Sequence, residues 1–149
     1  MSEILETYWA PHFGNTDEAT ALVSYLAQAS GDPIEVHTLF GDLGLDGLSG
    51  NYTDTEIDGY GDAFLLVAAL SVLMAENKAS GGVNLGELGG ADKSIRLHIE
   101  SKENTQINTA LKYFASNSCG PVLMKEDRFD EDDLSELANL SEELRGQLD

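Results

Sequence analysis

Residues 94–101 read SIRLHIES, an unbroken alternation of apolar and polar side chains. Successive side chains of a strand point to opposite faces, so Ile95, Leu97 and Ile99 share one side and Arg96, His98 and Glu100 the other. A strand of this kind rests one face on a core and shows the other to water. Residues 34–40 read similarly, with Ile34, Val36 and Phe40 alternating with Glu35, His37 and Leu39. In a doubly wound parallel sheet the strands are apolar on both faces. Glu35, His37, Arg96, His98 and Glu100 argue against that topology. The expected fold class is α+β, a single sheet of about four strands with helices packed mainly on one face.

The remaining elements follow outward from these two. Residues 4–13 (ILETYWAPHF) are rich in β-branched and aromatic types and read as a strand, with Pro11 placing its end at a sheet edge or bulge. Residues 121–129 supply the fourth strand. Asn15 or Thr16 caps a helix whose first turn holds Asp17 and Glu18, where the helix dipole favours anions. Ala19, Leu22, Val23 and Leu26 form its buried stripe, and Gly31 stops it. Asp62 caps the run AFLLVAALSVLMAE, which is apolar nearly all round and is expected deep in the core. A helix over 105–116 carries Ile107, Ala110, Leu111 and Phe114. A last helix opening at 130–133 carries Leu137, Leu140, Leu144 and Leu148. Residues 80–90 (SGGVNLGELGG) read as a flexible loop.

This order is strand, helix, strand, helix, taken twice. Sliding the first half along the second sets Asn15, Thr16, Thr20, Ala21, Leu22, Gly31 and Phe40 on Asn104, Thr105, Thr109, Ala110, Leu111, Gly120 and Phe129. Duplication of a strand-helix-strand-helix unit explains the echo, and so does chance placement of common cap and stop residues.

The chain has 149 residues, of which 42% are hydrophobic, enough for one domain with a real core. Its formal net charge is −19, and residues 1–77 contain neither lysine nor arginine. Nucleic acids and anionic membranes are polyanions and are repelled by such a surface. A basic protein is the better electrostatic match. Acidity also serves solubility, and a salt-adapted source would make a whole proteome acidic. Salt adaptation spreads acid evenly, however, and does not predict a half without base. The one cysteine, Cys119, permits no internal disulfide and fits a reducing compartment. The opening MSEILETYW has no basic region followed by an apolar stretch, so no signal peptide is read and the cytoplasm is expected. The longest apolar run is too short to cross a bilayer.

Several motifs invite chemistry. His12, His37 and His98 fall on expected strands and, sharing one open face, would gather near carboxylates such as Glu35 and Glu100. A metal site or an acid–base pair needs that convergence, but the spacing does not demand it, and polar sheet-face residues are the simpler reading. Cys119 lacks the positive surroundings that would stabilise a thiolate. The glycines at 81, 82, 86, 89 and 90 match neither dinucleotide nor phosphate-loop spacing. No catalytic residue, cofactor or metal ligand is therefore assigned.

The long segment 41–61 concentrates acid, glycine and tyrosine. A loop of about twenty residues in a compact domain is more often functional than decorative. Asp42, Asp46, Asp54, Glu56, Asp58 and Asp62 do not have calcium-hand spacing. They suit a docking surface for Lys and Arg, which needs a concentrated negative field rather than fixed geometry. Tyr52, Tyr60 and Leu48 are its candidate apolar anchors. The acids Glu126, Asp127, Asp130, Glu131, Asp132 and Asp133 read first as a helix N-terminus stabilised by the dipole, and Asp130 to Asp133 also extend the docking surface.

Two patterns resemble a family of bacterial polymorphic-toxin immunity proteins, immunity protein family 22. Trp9 and Phe13 match its Trp-x-x-x-Phe, and Tyr25 and Leu26 its helix ending in Tyr-Leu. Asp42-Leu43-Gly44-Leu45-Asp46 takes the place of its Asp-Phe-Gly-Ile-Asp motif. The resemblance covers about the first third of the chain. It implies a cytoplasmic antidote that binds a toxin domain and blocks it. The charge points the same way, toward a non-enzymatic inhibitor of a basic, nuclease-like toxin. The alternatives are a nucleic-acid mimic that sequesters a basic regulator, and a small metal-binding or enzymatic domain using the strand histidines.

Overall fold

The run from Leu65 to Glu76 is buried at every position and forms the central rod of the molecule. The computed structural model describes residues 3–9, 17–28, 34–43, 56–57, 61–88, 93–116 and 131–148. In chain order these hold a π-helical turn (Leu5–Trp9), α1 (Asp17–Gln28), β1 (Ile34–Glu35), α2 (Val36–Leu43), β2 (Glu56–Ile57) and β3 (Gly61–Asp62). Then come α3 (Ala63–Ser80), β4 (Val83–Asn84), a 3-10 turn (Leu85–Leu88), β5 (Ser94–Ile95), β6 (Leu97–His98), α4 (Ser101–Ser116) and α5 (Glu131–Leu148). The class is mixed α+β and mostly helical.

α3 is apolar all round because neighbours surround it. The N-terminal turn, α1, α4 and α5 all pack on it. Each leucine buried there contributes about 1.5–3 kcal/mol by leaving water. The buried Ser71 is satisfied locally, its hydroxyl donating to the Ala68 carbonyl at 2.6 Å. Asp62 immediately precedes the helix. The helix ends at Gly81, whose φ of 80° suits glycine and whose amide donates to the Asn77 carbonyl at 2.8 Å. α4 and α5 pack against each other, joined also by Arg145, whose Nε donates to Asn108 Oδ1 at 2.9 Å.

The expected sheet of four strands is not what forms. Among the described residues there are three separate two-stranded pieces: β1 with β6, β2 with β3, and β4 with β5. The alternation over 94–98 is present, with Ile95 and Leu97 buried and Arg96 and His98 exposed. But the segment changes partner at Arg96. Ile95 lies antiparallel to Val83, whereas Leu97 lies parallel to Ile34. Gly82 permits the close approach on the first side, since a Cβ there would sit 2.9 Å from the Ile95 carbonyl oxygen.

Two expected strands are helical instead, and burial gives the reason. In the N-terminal turn Leu5, Tyr8 and Trp9 are buried while Glu6 and Thr7 are exposed, a period of three to four rather than two. In α2 the buried residues are Val36, Leu39 and Phe40, again at i, i+3 and i+4, so β1 stops at Glu35. The helix expected at 105–116 begins a turn earlier, at Ser101. The expected flexible loop 80–90 contains β4 and the 3-10 turn. The repeat of strand, helix, strand, helix also fails at its start, because the helical turn Leu5–Trp9 would align with strands β5 and β6. The strand expected at 121–129 lies outside the described residues.

Candidate functional site

Three polar constellations stand out among the described residues. The first is an acidic cleft. The N-terminal turn crosses the C-terminal ends of α3 and α5 and leaves a cavity of about 440 Å³ lined by Glu3, Tyr8, Glu76, Ser80, Glu143 and Gln147, among others. None of its lining residues is basic. Glu76 is only 5% exposed, and its Oε1 accepts a hydrogen bond from the Ser80 hydroxyl at 2.7 Å. Burial, then the charges of Glu143 and Glu3, push the Tyr8 hydroxyl above its ordinary pKa. The cleft therefore offers a negative field, an aromatic ring, the buried Glu76 carboxylate and the exposed ones of Glu3 and Glu143 to a cation.

The second lies where β1 and β6 run into α2 and α4. The parallel register sets Glu35 beside His98, and Glu35 Oε2 meets His98 Nδ1 at 2.7 Å. Glu100 follows two residues on, beyond the half-buried Ile99, and is exposed like the other two. Hydrogen bonding to Glu35, then its charge, raise the His98 pKa, with a further contribution from Glu100. One turn into the helices, His37 Nδ1 meets Glu103 Oε1 at 2.8 Å. Glu103 is 1% exposed, and its Oε2 has no hydrogen-bond partner. A second cavity, of about 400 Å³, adjoins this region and is lined by Asn77, Leu97, Glu100 and Leu148 among others.

The third is a link between α1 and α2, where the Tyr25 hydroxyl donates to Asp42 at 2.5 Å. Both residues belong to the quoted motifs, and nothing in their separation along the chain announces that they meet.

Of the expected docking residues, Asp42 is exposed near the end of α2. Glu56 and Asp62 are backbone register partners across β2 and β3. Glu131, Asp132 and Asp133 form the first turn of α5. Asp46, Leu48, Tyr52, Asp54, Asp58, Tyr60 and Asp130 lie outside the described residues, as do His12, Phe13 and Cys119. Sequence reasoning missed the cleft altogether. Glu3, Glu76 and Glu143 are far apart in the chain, and only the packing of the N-terminal turn on α3 and α5 gathers them. Of the three histidines, His98 meets Glu35 and Glu100 as the shared-face reading allowed, whereas His37 turns to Glu103.

A comparison with models of known families matches residues 4–148 to the one described as Immunity protein 68. No curated protein and no solved structure gives a significant match. The resemblance to polymorphic-toxin immunity proteins is thereby supported, but the family matched is 68 and not 22. Among the described residues no helix is long and apolar enough to cross a membrane.

Proposed function

The chain belongs to the Immunity protein 68 family, and from that premise we propose that it neutralises a basic, nuclease-like toxin domain by covering that domain's cationic substrate groove. It does so without catalysis, in the cytoplasm. The observation that carries the reading is the unbroken absence of lysine and arginine from residues 1–77. A stretch of one sign on this scale suits a cationic partner. A nuclease groove lined with Lys and Arg for nucleic acid supplies that partner. Asp42, Asp46, Asp54, Glu56, Asp58 and Asp62, with Asp130, Glu131, Asp132 and Asp133, provide the field, and Tyr52 and Tyr60 the anchors. Long-range attraction speeds encounter, while buried aromatic contacts set the lifetime.

The test is stopped-flow association with the cognate toxin domain at low salt. Replacing Asp42, Asp46 and Asp58 together by lysine is expected to slow association by about tenfold or more, and added salt should narrow the difference. An association rate indifferent to both the substitutions and the salt would remove this surface from consideration.

A further inference from the structure

We propose that Glu35, His98 and Glu100 form a binding site for one divalent transition-metal ion of the zinc type, independent of any toxin partner. One ligand atom from each residue lies within 4.8 Å of the other two. Chelation needs donors that can close to about 3–3.5 Å, the separation of neighbouring ligands at metal bonds of about 2.0–2.2 Å. The Glu35 Oε2 and His98 Nδ1 atoms are already together at 2.7 Å, hydrogen-bonded through one proton; the ion replaces that proton, which leaves to solvent, and the pair opens slightly to the chelating separation. Glu100 needs only a side-chain rotation, and it is exposed and able to make one.

The backbone does the rest of the arranging. Glu35 and His98 are register partners in the parallel pair, so their side chains leave the ladder together. His98 and Glu100 are two residues apart along a chain whose exposure alternates, which sets both on the outer side. The ligands thus come from two segments that the fold holds side by side.

The donor set identifies the ion. An imidazole nitrogen with two carboxylates suits zinc and its neighbours, whereas calcium and magnesium take oxygen ligands. Two carboxylates also cancel the charge of a divalent ion, and their mutual repulsion is relieved when it binds. All three residues face solvent, so the remaining position is filled by water.

The experiment is isothermal titration of the full chain, stripped with chelator, with Zn²⁺ alone. Saturable binding of one ion per chain is expected, together with a shift of the His98 imidazole resonances in NMR spectra. His98→Ala, and separately Glu35→Gln with Glu100→Gln, should each weaken binding by at least about tenfold. His37→Ala should leave it unchanged, and Ca²⁺ should not compete. Circular dichroism of each variant in chelator confirms folding, and His98→Asn serves as the alternative should His98→Ala not fold. Absence of saturable Zn²⁺ binding overturns the proposal, and so does full binding by a folded His98 variant. Neither result touches the toxin reading, which is measured without metal.

Discussion

A single amide holds the outer side of β6. The Asn77 side chain donates to the Leu97 carbonyl at 2.9 Å and accepts from the Leu97 amide at 2.9 Å, as a neighbouring strand would. Asn77→Ala leaves two partly buried backbone groups without partners and should cost about 1–3 kcal/mol in urea denaturation. Nothing in the sequence marks this asparagine, because its role depends on which segment passes beside α3. The histidines were more legible. Alternation put His98 and Glu100 on one face, but only the parallel register supplied Glu35. In NMR titration His98 should show a midpoint above its ordinary 6.5, and Glu35→Gln should bring it down. A raised folded-state pKa means that the pair's contribution to stability is fully present below the ordinary value. It is lost as pH rises through the raised one.

At the scale of elements, length decided what could be read. α3 was recognisable because its apolar run from Ala63 to Ala75, broken only at Ser71, leaves little ambiguity. Leu70→Ala, at a wholly buried position, should destabilise by about 2–5 kcal/mol, visible as a lower urea midpoint. The short pieces were ambiguous. In residues 34–40, Leu39 fits the helical stripe with Val36 and Phe40 but interrupts an alternating one, and that residue was the available clue. In residues 4–13 the composition favoured a strand while the spacing of Leu5, Tyr8 and Trp9 favoured a turn of helix. Spacing prevailed, because burying three side chains against α3 outweighs intrinsic β preference. The change of strand partner at Arg96 was not legible, since periodicity reports which face is buried and says nothing of the neighbour.

Across the whole molecule, like charge works against compactness. With a net charge of −19, mutual repulsion among carboxylates destabilises the folded chain at low ionic strength. Raising salt from about 0.01 to 0.15 M, which shortens screening from about 30 to 8 Å, should therefore raise the urea midpoint. A midpoint that fell instead would mean that attractive ion pairs outweigh the repulsion. The sign and position of the charge were plain in the sequence. Its gathering into a cleft was not, because that depends on three elements meeting.

The last turns of α3 form a wall with a hollow on either side. Glu76 looks into one and Asn77 into the other, so a single peptide unit separates a carboxylate offered to visiting cations from the amide that braces Leu97, next in the chain to His98. The two hollows therefore share one post, and Glu76 and Asn77 are its two adjoining faces.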